Sequence, residues 1–323
     1  MFRMKAHSIV RSAALGATVL VLVCGAALLV FGVGGGLARR ESATARTNAA
    51  RTAIKAATAP ARTLSITCRS PALGGSLPAQ VFLPAGYSAR GRRYPVVYFL
   101  HGLPGNPTSY TKNAFVAQSL VSAGQRAIVV APQGARNAND DREYLDWSAT
   151  ENWPRTISRD LTSCVDSRFR TIPERTGRAL VGLSAGGYGA ANIALRNLKT
   201  FAAVESWSGY FVATDPSGNH VLKLPTPAAQ RAATVPDGPA LAEQLARWPT
   251  FIGFYAGRSD QRFLDMNEAF DKALRKAGVA HVFQTYTGGH TATLWESQAP
   301  DWLGMALMYL AAHRLEPQRL AGR

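Results

Sequence analysis

Val181-Gly182-Leu183-Ser184-Ala185-Gly186-Gly187-Tyr188-Gly189 decides the reading of this chain, because it sets a serine between glycines where an apolar run becomes an alanine-rich one. Upstream, Arg178-Ala179-Leu180-Val181 reads as a buried strand; downstream, Ala190-Ala191-Asn192-Ile193-Ala194-Leu195 continues as a helix. A serine on so sharp a strand-to-helix turn is held in strained backbone geometry, with its hydroxyl projected into open space. Gly182 and Gly186 are required there because a side chain at either would strike the neighbouring strand or helix. The turn also aims the amide of Ala185, the first of the helix, at the oxygen that becomes negative during acyl transfer. Ser184 is therefore a candidate nucleophile. The bland alternative is an ordinary glycine-rich turn, and the difference lies in whether the chain supplies partners for the hydroxyl.

A serine hydroxyl needs a base to remove its proton, and the chain has six histidines. His7 lies in the N-terminal segment, His220 in a proline-rich stretch, and His101 precedes the serine in a different motif. In a doubly wound sheet carrying this chemistry the chain order is serine, acid, histidine, which leaves His281, His290 and His313. His281 sits in an apolar strand as a packed residue, and His313 lies in the C-terminal helix as a surface or capping residue. His290 follows Thr287-Gly288-Gly289 just past a strand's C-terminal end, where such sheets assemble their sites, and is the candidate base.

The acid belongs on the loop after the preceding strand, Phe251 to Ala256, and that loop is Gly257-Arg258-Ser259-Asp260. Asp260 would fix the tautomer of His290 and stabilise its imidazolium. Asp265, one helical turn further on, is the competitor. The structural alternative for Asp260 is an N-cap on a helix from about Gln261 to Ala277. The second oxyanion donor is expected in His101-Gly102-Leu103-Pro104-Gly105, after the first parallel strand. Pro104 has no N–H, so the Leu103 amide joins that of Ala185 as the expected pair.

Working outward, strands and helices alternate from Leu64 onward. Ser65 to Cys68 and Ala79 to Leu83 read as antiparallel opening strands about a Gly74-Gly75 turn. Tyr94 to Leu100, Arg126 to Ala131, the strand before Ser184, Phe201 to Glu205, Phe251 to Ala256 and His281 to Tyr286 follow, most separated by helical segments. This pattern predicts an α/β fold with a mainly parallel, doubly wound sheet and helices on both faces. Residues 212–248 carry Pro216, Pro225, Pro227, Pro236 and Pro239 and are too long for a bare connection; they read as a cap over the site or as a surface excursion.

The formal charge of +16 raises nucleic acid as a partner, but half of it precedes the folded part. Residues 1–62 hold nine Lys or Arg against Glu41 alone, and no Lys/Arg run interleaved with aromatics follows, so no nucleic-acid partner is expected. Arg3, Lys5 and Arg11 precede an uncharged run from Ser12 to Leu37, long enough to span a bilayer. Residues 1–37 thus form a signal-anchor or a signal peptide, and Gly36-Leu37-Ala38 offers a cleavage site. Val23 before Cys24 argues against lipidation. Residues 38–62, Ala/Thr/Arg-rich, read as a flexible basic tether, the folded domain as 63–316, and 317–323 as a tail. Arg39, Arg40, Arg46, Arg51 and Lys55 outnumber the basic residues before the run, and by charge alone the domain would stay cytoplasmic. Cys68 and Cys164 permit one disulfide in an oxidising compartment or two buried thiols.

Taken together, Ser70-Pro71-Ala72-Leu73-Gly74, Leu83-Pro84-Ala85-Gly86-Tyr87, His101-Gly102-Leu103, Asp146-Trp147, Gly182 to Gly187, Ser206-Trp207-Ser208-Gly209, Gly257 to Asp260, and Gly289-His290 with Trp295 resemble the esterase D family of α/β-hydrolases. Within it they are similar to the exported branch that includes the mycolyltransferases. The resemblance covers roughly residues 64–315. It implies an α/β-hydrolase fold and a Ser-His-acid esterase or acyltransferase without metal or organic cofactor, secreted or membrane-tethered, which turns the expected location to the extracytoplasmic side. The expected substrate is a carboxylic ester, including lipid or glycolipid esters, with His101, Trp147 and Trp295 as candidate substrate contacts. Trp295 has a second reading as a core residue under the sheet edge. The turn Leu103-Pro104-Gly105 lacks the Arg that this branch carries after its Gly-Leu pair, and Asp260 stands where the branch has Glu. A serine esterase is the expected function, acyl transfer to a sugar hydroxyl the alternative, and a non-catalytic envelope scaffold the reading from another class.

Overall fold

The computed structural model describes residues 61–137, 139–215 and 219–320, apart from the side chains of 315–320. The expected membrane segment and nearly all of the tether lie outside these residues. No helix among the described residues is long and apolar enough to cross a membrane.

In chain order the elements are β1 (Arg62–Ser70), β2 (Gly75–Leu83), β3 (Val96–Leu100), α1 (Ala114–Ser122), β4 (Ile128–Pro132), a hairpin of β5 (Asp146–Ser148) and β6 (Glu151–Asn152), α2 (Thr162–Arg168), β7 (Arg178–Leu183), α3 (Ala185–Arg196), β8 (Ala203–Trp207), α4 (Pro227–Ala232), α5 (Pro239–Arg247), β9 (Phe251–Gly257), α6 (Leu264–Lys276), β10 (Val282–Tyr286) and α7 (Ala292–Leu320). Eight strands form one sheet in the order β1-β2-β4-β3-β7-β8-β9-β10. β2 is antiparallel to β1 and β4, and every pair from β4 to β10 is parallel. The fold is thus the mainly parallel, doubly wound sheet that the alternation predicts.

Both faces are covered, which explains the continuous apolar runs of the central strands. Tyr98 and Leu100 of β3 join one core with Leu180 and the buried face of α3; Val97 and Phe99 join the other with Trp207, Tyr255 and Trp302 of α7. The register aligns the loops that leave the sheet. Leu100 lies opposite Gly182, Leu183 opposite Trp207, and Gly257 opposite Tyr286. The turns after β3, β7, β8, β9 and β10 therefore meet at one edge, as expected for ligand sites in open α/β sheets.

Cys68 on β1 and Cys164 on α2 form a disulfide, which resolves the two alternatives left open by the sequence. It closes a sequence separation of 96, for which the chain-entropy treatment gives roughly 4–5 kcal/mol of stabilisation. The 212–248 excursion packs along the flank of α3: Tyr188 Oη donates to Ala233 O at 2.8 Å, Asn192 Nδ2 to Ala232 O at 3.0 Å, and Arg196 Nη2 to Arg231 O at 2.8 Å. Positions 188, 192 and 196 form a single helical face, so these contacts hang this part of the excursion on α3. The C-terminal helix continues to Leu320, beyond Glu316 where the sequence reading ended the domain. The β5–β6 hairpin was not anticipated.

Glu205, wholly buried on β8, accepts hydrogen bonds from Trp207 Nε1 at 3.0 Å and Tyr255 Oη at 3.4 Å. Burial pushes its carboxyl up to about 8. The folded state therefore holds a proton that the unfolded chain releases near pH 4.5; the associated stability is complete below that value and is lost as pH rises through 8. Glu205→Gln is expected to flatten this decline, gaining about 4 kcal/mol at most at pH 8 relative to pH 5. Urea unfolding of both proteins at the two pH values checks it; parallel pH dependences would count against a titrating Glu205.

Candidate active site

Ser184 sits between β7 and α3 with φ 55° and ψ −126°, a left-side backbone conformation rare for a residue with a side chain. Two hydrogen bonds close the turn: Ser184 N–H to Trp207 O at 2.9 Å, and Tyr188 N–H to Ser184 O at 3.1 Å. A Cβ on Gly182 would stand 2.2 Å from Gly186 O, and one on Gly186 would stand 2.1 Å from Leu100 O. Both glycines are thus dictated by close approach of backbone, for the reason the sequence suggested.

The three side chains selected by chain order meet here. Ser184 Oγ lies 3.0 Å from His290 Nε2, and His290 Nδ1 lies 2.9 Å from Asp260 Oδ2. The Asp260 side chain is fully buried, whereas that of His290 keeps 18% of its surface open. With Nδ1–H donating to the carboxylate, Nε2 is left bare and accepts the serine hydroxyl, so a proton can pass from Oγ to the imidazole while the carboxylate balances the charge. Asp260 Oδ1 accepts the Arg262 amide at 3.3 Å. The helix expected from Gln261 begins instead at Leu264, and its N-cap position is Phe263. Asp260 therefore faces His290 and a local turn and does not cap the helix. Asp265 is exposed on the first turn of α6.

The Ala185 and Leu103 amides flank the serine. Ala185 is the first residue of α3, and Leu103 follows Gly102, where a Cβ would stand 3.2 Å from Ser184 Cβ. Neither amide donates to a group among the described residues, so both are open to an incoming oxygen. Donors held this way are suited to an oxyanion.

The three candidate substrate contacts fare differently. His101 is only 4% exposed, its Nδ1–H donates to Gly102 O at 2.8 Å, and its Nε2 accepts the Gly134 amide at 2.9 Å. Burial pushes its pKa down. Both nitrogens are engaged by backbone, so His101 braces the loop that carries Leu103. Trp147 lies on β5, half-buried, with its Nε1 donating to Arg142 O at 2.8 Å and the Arg142 guanidinium 4.4 Å from its ring. No contact joins it to Ser184 or His290. Trp295 donates Nε1–H to Ser208 Oγ at 3.0 Å and packs edge-on to the His290 ring at 5.1 Å. It is a wall of the histidine and, half-buried, packs against the core under α7.

Sequence reasoning missed the residues that hold this arrangement from behind. Phe263 also packs edge-on to the His290 ring, at 5.3 Å. Asn267 Nδ2 donates to both Gly209 O and Phe263 O at 2.8 Å, tying the acid loop to the turn after β8. Tyr210 lies between Phe263 and Tyr188 and donates to the Glu143 carboxyl at 2.6 Å. Burial pushes Glu143 up to about 9. Among the described residues no group of His, Cys, Asp and Glu is gathered to hold a metal ion.

Residues 70–304 match the family model described as "Putative esterase". An esterase of Mycobacterium tuberculosis is 32% identical over 138 residues, which cover 43% of this chain and 30% of the relative. An endo-1,4-beta-xylanase/feruloyl esterase of Xylanibacter ruminicola is 30% identical over 145 residues, covering 42% of this chain and 20% of its own length. The matched region thus spans less than a third of these curated relatives. Among solved structures, a ferulic acid esterase superposes with a TM-score of 0.64 at 24% identity, covering 77% of this chain and 98% of that one. An S-formylglutathione hydrolase from Agrobacterium tumefaciens gives 0.62 at 19% identity, covering 78% and 96%. At these identities the likeness is one of fold, the α/β-hydrolase fold.

Proposed function

Because the chain belongs to the esterase family whose model spans residues 70–304, we propose that it is a serine esterase acting on carboxylic esters through an acyl-enzyme. Ser184 Oγ attacks the ester carbonyl carbon as His290 Nε2 takes its proton, and the Leu103 and Ala185 amides hold the resulting oxyanion. Asp260 stabilises the imidazolium. Collapse breaks the bond to the alcohol oxygen, which leaves with the proton from His290. Water then gives a proton to His290 and attacks the acyl carbon; the acid departs and Ser184 regains its proton. The observation that carries this reading is the unbroken relay from Ser184 through His290 to buried Asp260 beside two unpaired amides.

Acyl transfer to a sugar hydroxyl would use the same acyl-enzyme. The resemblance to the mycolyltransferase branch favours it, while the Leu103-Pro104-Gly105 turn and Asp260 depart from that branch. Relatives named for ferulic esters make aromatic acyl esters a substrate to test beside short aliphatic ones. The disulfide between Cys68 and Cys164 and the apolar run Ser12 to Leu37 support an extracytoplasmic, membrane-tethered or secreted protein. A fluorophosphonate probe is expected to label Ser184 stoichiometrically and to stop p-nitrophenyl ester turnover. Mass spectrometry of the labelled peptide checks it, and absence of label would favour a non-catalytic scaffold. Product analysis with trehalose present separates transfer from hydrolysis.

A further inference from the structure

The parallel strands begin at the sheet edge opposite Ser184, and that edge is basic. Arg62, the first residue of β1, pairs with Leu83; Phe82 pairs with Val129; and Val96 stands beside both Ile128 and Arg178. Onto this row open the β2–β3 connection with Arg90, Arg92 and Arg93, the approach to β4 with Arg126, and the segment after α2. That last segment is locked in place by Tyr94 N–H donating to Arg170 O at 2.8 Å. Arg62, Arg90, Arg92, Arg93, Arg126 and Arg168 are all exposed. In these segments the acids are Asp166, ion-paired to Arg178, and Glu174. The fold thus brings arginines from separate stretches of the chain to one edge.

The array is partly fixed: the Arg92 guanidinium lies 4.7 Å from the Tyr94 ring centre, and Arg93 Nη1 donates to Thr171 O at 2.9 Å. Apolar surface adjoins it. A groove of about 230 Å³ lined by Phe82, Leu83, Leu120 and Val121 opens beside Arg62, and Val121 is 69% exposed. The chain enters the domain at this same edge, preceded by Arg39, Arg40, Arg46, Arg51 and Lys55 and by the uncharged run Ser12 to Leu37.

We propose that this edge docks on the anionic headgroups of a lipid bilayer. The guanidinium groups meet lipid phosphates, Val121 and the groove rest at the headgroup boundary, and the opposite edge with Ser184 opens away from the bilayer. β7 has six residues, so the site lies roughly 20 Å from the docking edge. A lipid surface fits better than a soluble polyanion because apolar surface and the chain's entry point share the edge with the charge. This inference does not depend on the reaction at Ser184.

The test is hydrogen exchange of the full chain reconstituted in vesicles of phosphatidylcholine alone and of equal parts phosphatidylcholine and phosphatidylglycerol. Exchange of residues 86–93 and 124–127 is expected to slow at least about threefold in the anionic vesicles and to recover in high salt, with the loop at 257–260 unchanged. The charge reversal R90E/R92E/R93E should remove the protection while leaving turnover of a soluble ester intact; R126E/R168E serves if the first variant fails to fold. Equal exchange in the two vesicles, or protection that survives charge reversal, would overturn the proposal. Equal protection by soluble polyphosphate over phosphatidylcholine alone would also overturn it, assigning the edge to a soluble polyanion.

Discussion

Ser184→Ala is expected to lower kcat for short p-nitrophenyl esters by about 10⁴- to 10⁶-fold while leaving Tm nearly unchanged. The size of the loss follows from the geometry. Oγ is the atom held 3.0 Å from His290 Nε2, and removing it leaves the imidazole with nothing to deprotonate except water. The two amides remain and retain some acceleration, which is why the loss stops short of the uncatalysed rate. Stability should hold because Ser184 donates no other side-chain hydrogen bond, and alanine meets the same φ of 55° with a smaller side chain. Pairing the substitution with His290→Ala should add little, since the two groups act as a unit. Steady-state kinetics beside a thermal melt checks this, and turnover undiminished in the serine variant would sink the assignment.

Asp260→Asn is expected to cost about 10⁴-fold in kcat at neutral pH with a small change in KM, whereas Asp265→Asn should stay within about twofold of the parent. Asparagine keeps the shape of the buried side chain but can turn an NH2 toward His290 Nδ1. The imidazole then places its own proton on Nε2, where it cannot accept one from Ser184. Asp265 is exposed on α6 and makes no bond to His290. Equal losses in the two variants would remove Asp260 from its role and return the acid to an open question.

Much of the site was legible because its rules are local or follow chain order. The elbow at Ser184 is written in Gly182 and Gly186, whose necessity arises within one turn of chain, and the strands around it carry apolar runs that only burial on both faces explains. His290 and Asp260 emerged from elimination and from the order in which sheet loops arrive at one edge. The bracing role of His101 was not legible, because a histidine beside a glycine turn looks the same in sequence whatever its ring meets; the approach of Gly134 to its Nε2 comes from a segment 33 residues away. The start of α6 was misplaced for a related reason, since Asp260 resembles a cap until its carboxylate is seen to face His290. Glu143 and Tyr210 are 67 residues apart, and Asn267 and Gly209 are 58 apart. No periodicity or motif joins such pairs, because their contact is created by the sheet order and by nothing nearer in the chain.

The bridge between Cys68 and Cys164 bears on how β1 withstands a load. A force drawn through the N-terminal chain arrives at Arg62 and peels β1 from β2 one residue pair at a time, the weakest direction in which to load an antiparallel ribbon. Peeling from Arg62 reaches Cys68 after Thr67, and there a covalent link to α2 takes the load in place of hydrogen bonds. The edge strand can open without the sheet coming apart, so such opening stops short of the strands that position Ser184.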